Sequence, residues 1–96
     1  MAEIAFRPQA SADLADIYSQ SVEQFGQATA KRYHEGLQAS VLRLAEFPLS
    51  APTYPGMRPT IRFVTHRKHH IFYDYDGTTV WIARILHHAV DVQRWI

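Results

Sequence analysis

The sequence contains no cysteine, only four glycines, and no long run of apolar residues. Without cysteine the chain has neither a disulfide framework nor a thiolate nucleophile. No stretch approaches the roughly 18 apolar residues that a membrane-spanning helix needs. The start, MAEIAFRPQA, also lacks the basic region and apolar core of a secretory signal. We therefore expect a cytoplasmic protein that makes no contact with a membrane.

A large excess of charge of one sign is also missing, because the formal net charge is only +1. Such a small charge argues against affinity driven by counterion release, so we expect no direct nucleic-acid binding by the chain alone. Residues 1–57 carry six acidic and four basic side chains, whereas residues 58–96 carry three acidic and six basic ones. The basic half fits either a landing surface for an acidic segment or phosphate, or solvated charges at strand edges.

The first half of the chain predicts a short strand followed by two amphipathic helices. The β-type run EIAF at 3–6 is stopped by Pro8, which suits the first turn of a helix. Apolar side chains then recur at spacings of three and four over residues 8–25 and again over residues 27–47. Gly26 supplies the stop between them. With so short a link, the two helices should form an antiparallel hairpin.

The second half changes to strands. A proline-rich loop at 48–59 precedes three runs of β-branched and aromatic residues, TIRFVTH, HHIFYDYD and TVWIARILH. Asp76-Gly77 is a strong hairpin signal between the last two. We predict one α+β domain over residues 1–96 in the order β-α-α-β-β-β, with the helical hairpin on one face of a small antiparallel sheet. The first strand should join an edge of that sheet, and the tail HAVDVQRWI is compatible with a further helical turn.

Histidines are concentrated in this second half. Pairing across the Asp76-Gly77 turn places His87 opposite positions 66–68, at the end of the sheet where other histidines lie. The resulting cluster comprises His66, His69, His70 and His87. Such a cluster could bind zinc with Asp91 as a carboxylate ligand, make a pH-dependent partner contact, or consist of ordinary surface residues. The last interpretation is the simplest, and we expect no metal and no cofactor.

A metal-independent ribonuclease site is the alternative chemistry for this half of the chain. RNA cleavage needs a base, an acid and cations on the phosphate. Arg62, Arg84 and His87 could supply the cationic and acid–base roles. A second proton-transfer group is missing near the C-terminus, which reads QRWI. We therefore assign no catalytic residue.

Aromatic residues interleave with arginines across the three strands. The rings are those of Phe63, Tyr73, Tyr75 and Trp81. Part of them must form the core beneath the helices. The opposite face of the sheet should be open, and rings and arginines there would form an anchor surface for a partner.

The run HHIFYDYDGTTVWIARILHHAVD resembles the closing pattern of ParE-type toxins of the RelE/ParE superfamily. The matching residues are Ile71-Phe72-Tyr73, Arg84, Leu86-His87 and Asp91. The stretch RPQASADLADIYSQSVEQFG is similar to the family's first helix. The resemblance implies the RelE/ParE-like fold and a toxin of a type II toxin–antitoxin pair, which inhibits DNA gyrase by binding. RelE relatives instead cut mRNA on the ribosome, and this remains the alternative.

The resemblance also implies a ParD-like antitoxin, with a ribbon-helix-helix N-terminal part that binds DNA and a C-terminal segment that wraps the toxin. An acidic or amphipathic segment of this kind would order on binding. The expected antitoxin contacts are Arg58, Arg62, Tyr73, Tyr75, Trp81 and Arg84. The expected gyrase contacts are His87, His88, Asp91, Arg94 and Trp95.

Overall fold

The computed structural model describes residues 1–96 and confirms the predicted order of elements. The elements are β1 (Glu3–Phe6), α1 (Pro8–Phe25), α2 (Gln27–Glu46), β2 (Arg62–His66), β3 (His69–Tyr75), β4 (Thr79–His87) and α3 (Val92–Trp95). The tail thus adds a single short helix, and α2 ends one residue before the predicted end. No helix is both long and apolar enough to pass through a membrane.

A single glycine joins the two long helices. Gly26 has φ 85° and ψ 168°, a backbone conformation that only glycine adopts readily. Its N–H donates to the carbonyl of Val22, which closes α1, and its own carbonyl accepts from Ala30 as the first bond of α2. The predicted helical hairpin therefore turns on one residue.

The sheet contains four strands in the order β1-β4-β3-β2. Strands β2, β3 and β4 form the predicted antiparallel meander, and β1 lies at an edge as expected. The prediction of an antiparallel sheet is incomplete, because β1 runs parallel to β4, with Ile4 opposite Val80 and Phe6 opposite Ile82. A parallel pair needs a long crossover, and here the helical hairpin and the β2–β3 hairpin together supply it.

The main core lies between the helical hairpin and one face of the sheet. Ala10 of α1 and Leu37 of α2 are among its ten buried residues, together with Ile71, Val80 and Ile82 from the strands. Each of these five named side chains is at most 1% exposed. The periodic apolar stripe of each helix accounts for this packing.

The opposite face of the sheet is not open, which contradicts the sequence-based expectation. Phe72 and Leu86 point to that face and are buried by residues of the proline-rich loop and the tail. The covering side chains include Tyr54 and Met57 from the loop and Val92 from α3. The loop carries apolar residues and also pairs with β2 through hydrogen bonds, so it packs against the sheet.

A β-bulge shifts the register between β3 and β4. Tyr73 lies opposite Ile82, but the next residue back, Phe72, lies opposite Arg84. The extra residue in β4 brings His87 opposite His69, not opposite positions 66–68 as predicted. Arg84 lies on β4 beyond the end of the β1 pairing, and its side chain contacts Asp13 on α1.

Candidate functional site

Arg84 forms the only ion pair of the chain, with Asp13 on α1. Its Nε and Nη2 atoms donate to the two carboxylate oxygens of Asp13 at 2.7 and 2.8 Å. The same carboxylate accepts the backbone N–H of Ile85 at 3.0 Å. Arg84 Nη1 donates to the carbonyl of Trp95 at 3.0 Å, and the guanidinium lies 5.5 Å from the centre of the Trp95 ring.

These contacts use three of the five N–H donors of Arg84 within the chain. The hydrogen bonds to Asp13 raise the pKa of Arg84 above its ordinary value, against the opposing effect of burial. Only 12% of the side chain is exposed. In the unbound chain Arg84 is therefore already paired, and its assignment as an antitoxin contact stays a prediction. Arg84 joins α1, β4 and the tail.

A cavity of about 270 Å³ lies beside this network, and we call it the tail groove. It brings together side chains that the sequence assigned to two different surfaces. Its lining includes Arg7, Arg58, Asp74, Arg84, Trp95 and Ile96. Arg58 is exposed, and so are Trp95 and Ile96, at 54% and 47%. The tail groove thus combines three arginines and one aspartate with large apolar side chains at the surface.

The predicted aromatic contacts have three different environments. Tyr73 is fully buried in the main core, and its hydroxyl donates to the carbonyl of Pro48 at 2.8 Å, so its assignment to a partner surface is wrong. Burial raises the pKa of Tyr73. Tyr75 is partly buried against the same core. Trp81 is half-buried, with its indole N–H bonded to Asp76 and the Arg7 guanidinium 5.0 Å from its ring centre.

Arg62 and Asp91 have structural contacts that the sequence did not show. Nη1 of Arg62 donates to the carbonyl of Ala51 at 2.6 Å and so fastens the proline-rich loop to β2. The side chain of Asp91 caps α3 by accepting the N–H of Gln93 at 3.2 Å. Arg94, by contrast, is exposed in the last turn of α3.

The histidines of the second half lie at one end of the sheet, as predicted. The rings of His69 and His87 are 5.7 Å apart, and the ring of His88 stacks on that of His87 at 4.5 Å. Tyr33 of α2 reaches this end, where its hydroxyl lies 2.7 Å from Nδ1 of His69 and 3.2 Å from the carbonyl of His66. Both contacts are satisfied if His69 donates from Nδ1 and the phenol donates to the carbonyl.

Burial lowers the pKa of His66, His69 and His70 and so favours their neutral form. Burial, reinforced by the positive charge that the neighbouring histidines would carry, lowers the pKa of His69 from 6.5 to about 4. Burial is also the main cause that lowers the pKa of His66 and of His70. At pH 7 His69 therefore offers hydrogen bonds and no charge.

The cluster does not assemble a metal centre, because no three histidine or carboxylate side chains of the chain converge closely enough to hold an ion. Asp91, the proposed carboxylate ligand, is occupied as a helix cap. The candidate nuclease set is not assembled either. His87 and Arg84 line different cavities, and Arg62 lines neither of them.

The cavity beside the histidines has a volume of about 460 Å³, and we call it the histidine cleft. It lies between the α1–α2 junction and the β2–β3 turn. Its lining includes Phe25, Tyr33, Arg67, Lys68, His69 and His87. The cleft and the tail groove are the two candidate sites that the fold provides.

Comparison with models of protein families identifies the family of this chain. A family model described as the ParE toxin of the type II toxin–antitoxin system parDE matches residues 4–92. The chain belongs to the ParE toxin family.

Two relatives named "Toxin ParE1" agree with this assignment. The protein from Mycobacterium tuberculosis (strain CDC 1551 / Oshkosh) is 31% identical over 88 residues, which cover 91% of this chain and 90% of the relative. The protein from Caulobacter vibrioides (strain ATCC 19089 / CIP 103742 / CB 15) is 32% identical over 85 residues, which cover 88% of each chain. The alignment thus spans most of both sequences.

A solved structure confirms the fold. A chain of the structure titled "Chromosomal ParDE TA system from P. aeruginosa" superposes with a TM-score of 0.79 at 22% identity. The superposition covers 91% of this chain and 96% of the other. The predicted RelE/ParE-like α+β fold is therefore correct.

Sequence reasoning missed two residues that shape the surface of this ParE-family chain. Asp13 belongs to the stretch ADLADI, which carried the resemblance in the first helix, but no charged partner was assigned to it. Arg7 precedes Pro8, and the parallel pairing of Ala5 with Trp81 brings its side chain over that ring. The parallel direction of β1 was the missing information in the second case.

Proposed function

We propose that this chain is the toxin of a type II toxin–antitoxin pair and that it inhibits DNA gyrase by binding, without turnover. It would act in the cytoplasm as one domain spanning residues 1–96. The match of the family model over residues 4–92 carries the proposal, and the 31–32% identity to two proteins named "Toxin ParE1" supports it. The separation of Arg62, Arg84 and His87 favours binding over RNA cleavage by these residues.

The partner that neutralises the toxin is a ParD-like antitoxin, with a ribbon-helix-helix N-terminal part and a wrapping C-terminal segment. The tail groove supports contact with an acidic, amphipathic segment, because it places Arg58 and Arg7 beside the exposed ring of Trp95. Arginine and aromatic side chains are the residues that most often dominate binding energy at interfaces. In this proposal Arg58 and Trp81 remain antitoxin contacts, and Arg7 joins them.

The gyrase contact is proposed to include the exposed part of the tail. Arg94 and Trp95 on α3 and His88 before it are accessible in the unbound chain. Neither a nucleic acid nor a membrane is needed for this interaction. The histidine cleft and the tail groove both open to the surface. Open sites of this kind are accessible to a large protein partner.

Induction in cells separates gyrase inhibition from RNA cleavage. We expect cells that express the chain to stop growing, to lose plasmid supercoiling within one generation, and to continue incorporating labelled amino acids during that time. The purified chain should inhibit supercoiling by gyrase in the absence of ribosomes. A block of translation with supercoiling unchanged would overturn the proposal in favour of a RelE-like ribonuclease.

The antitoxin surface is tested by thermal unfolding with the product of the neighbouring reading frame. At a partner concentration of about 100 times Kd, binding should stabilise the toxin by about 2.7 kcal/mol and raise its Tm. We expect the double variant Arg7→Gln/Arg58→Gln to bind about tenfold more weakly, by loss of charged contacts. The control, Lys31→Gln/Arg43→Gln, removes two exposed cations from α2 and should bind normally. Equal affinity of both double variants would remove the tail groove from the interface.

A further inference from the structure

The histidine cleft is lined by cations and neutral side chains only. Arg67 and Lys68 stand at its rim, and no aspartate or glutamate contributes to the lining. Neither side chain makes a hydrogen bond or an ion pair within the chain, whose single ion pair is that of Arg84 with Asp13. The positive charge of the cleft is therefore uncompensated, which favours an anionic ligand.

The backbone fixes the positions from which these two exposed side chains extend. They form the turn between β2 and β3, where Arg67 adopts φ 53°. The carbonyl of Lys68 accepts the N–H of His88 at 2.8 Å, so the turn is also tied to the end of β4. The rim is thus fixed at both strands, and the two side chains extend from a common point.

The rest of the lining suits a planar ring with polar edges. Phe25 is 61% exposed at one wall, and the imidazoles of His69 and His87 lie at another. Gln20, Gln24 and Thr29 add neutral donors and acceptors. The volume of about 460 Å³ falls in the range of small-ligand sites, about 300–1,000 Å³.

We propose that the histidine cleft binds a free mononucleotide, with its phosphates at Arg67 and Lys68 and its base against Phe25 and the imidazoles. Arginine and lysine bind phosphate by charge-assisted hydrogen bonds. Aromatic side chains accept the face of any base. This site is separate from the tail groove and does not depend on the proposed action on gyrase.

Titration of the purified 96-residue chain tests the site. The probes are ADP, pyrophosphate, adenosine and a 5′-phosphorylated single-stranded decanucleotide. Their binding is measured by calorimetry and by changes in amide chemical shifts. We expect ADP to bind at least about tenfold more tightly than pyrophosphate or adenosine, since it uses both halves of the cleft. The shifts should centre on the β2–β3 turn and the α1–α2 junction.

Variants locate the binding. Arg67→Asn/Lys68→Gln removes both charges, keeps a residue that tolerates positive φ, and should weaken ADP by about tenfold or more. Phe25→Ala should weaken ADP severalfold and leave pyrophosphate unchanged. The control Arg58→Gln/Arg94→Gln lowers the net charge equally, outside the cleft, and should bind ADP normally. Circular dichroism verifies the fold of each variant.

Four results would overturn the proposal. The first three are no binding of ADP at millimolar concentration, equal weakening in the control variant, and pyrophosphate binding as tightly as ADP. Tighter binding of the decanucleotide than of ADP would also overturn it, because the ligand would then be a nucleic-acid end. Gyrase inhibition is measured on the same variants, and its loss or retention leaves these outcomes unchanged.

Discussion

The two faces of the sheet are covered in different ways. On one face, two long helices bury a cluster of ten residues, each helix contributing a periodic apolar stripe. On the other, a proline-rich loop and a four-residue helix bury a cluster of four. Cover made of irregular segments opens at lower free energy than cover made of long helices. We therefore expect the helical face to contribute more to the stability of the fold than the loop-covered face.

Truncation of one core residue on each face measures this difference most directly. We expect Leu37→Ala, at the centre of the helical face, to lower the free energy of unfolding by about 3–4 kcal/mol. Val92→Ala, in the tail, should cost only about 1–2 kcal/mol, because fewer methyl groups are lost and the cover can readjust. Urea unfolding gives both values. The exposed Leu42→Ala is the control, and equal costs at Leu37 and Val92 would contradict the contrast between the faces.

The ion pair of Asp13 and Arg84 links the two faces, and its loss should have the next largest effect. Asp13→Ala leaves Nε and Nη2 of the largely buried Arg84 and the N–H of Ile85 without their acceptor. We expect a loss of about 2–3 kcal/mol from the free energy of unfolding. Asp13→Asn, which retains an acceptor, should lose less. If the exposed Asp16→Ala is as destabilising as Asp13→Ala, the pair has no special role.

The pH dependence at the histidine end should give the smallest effect. The pKa of His69 is lowered to about 4, so below pH 6.5 the unfolded chain binds a proton that the folded chain does not. Stability is therefore full above pH 6.5 and falls as the pH drops towards 4. Between pH 7.5 and 5 we expect His69 to cost about 1 kcal/mol, a value that allows for solvent screening of a half-exposed group.

Unfolding in urea at the two pH values measures this effect. His69→Asn removes the titrating group and should reduce the pH dependence. His34→Asn, away from the cluster, should leave it as in the parent chain. A pH dependence that is the same in His69→Asn would show that other groups cause it.

The helices and strands could be predicted from the sequence because each depends on local signals. Pro8, Gly26 and the Asp76-Gly77 turn mark boundaries, and the apolar spacing between them sets the type of element. The position of the histidine cluster could be predicted from strand pairing across the Asp76-Gly77 turn alone. These features need only residues that are close in the chain or directly paired.

The surfaces could not be predicted in the same way. The burial of Phe72 depends on a loop whose path no periodicity encodes, and the position of His87 depends on a bulge that shifts the register by one residue. The residues around Arg84 in the sequence are the same whether its side chain is free or paired, so they do not reveal its partner. Its partner lies 71 residues away, on a helix placed there by the packing of the whole fold.

The short length of β1 has a consequence for self-association. The strand pairs with β4 only from Thr79 to Ile82, and beyond that point the side of β4 that faces away from β3 has no neighbouring strand. In this stretch the N–H of Ile85 donates to the carboxylate of Asp13, which satisfies a backbone donor that no strand pairs with. A free strand edge invites pairing with another copy of the chain. The carboxylate of Asp13 on α1 thus leaves this edge with one fewer free backbone donor for a second copy to pair with.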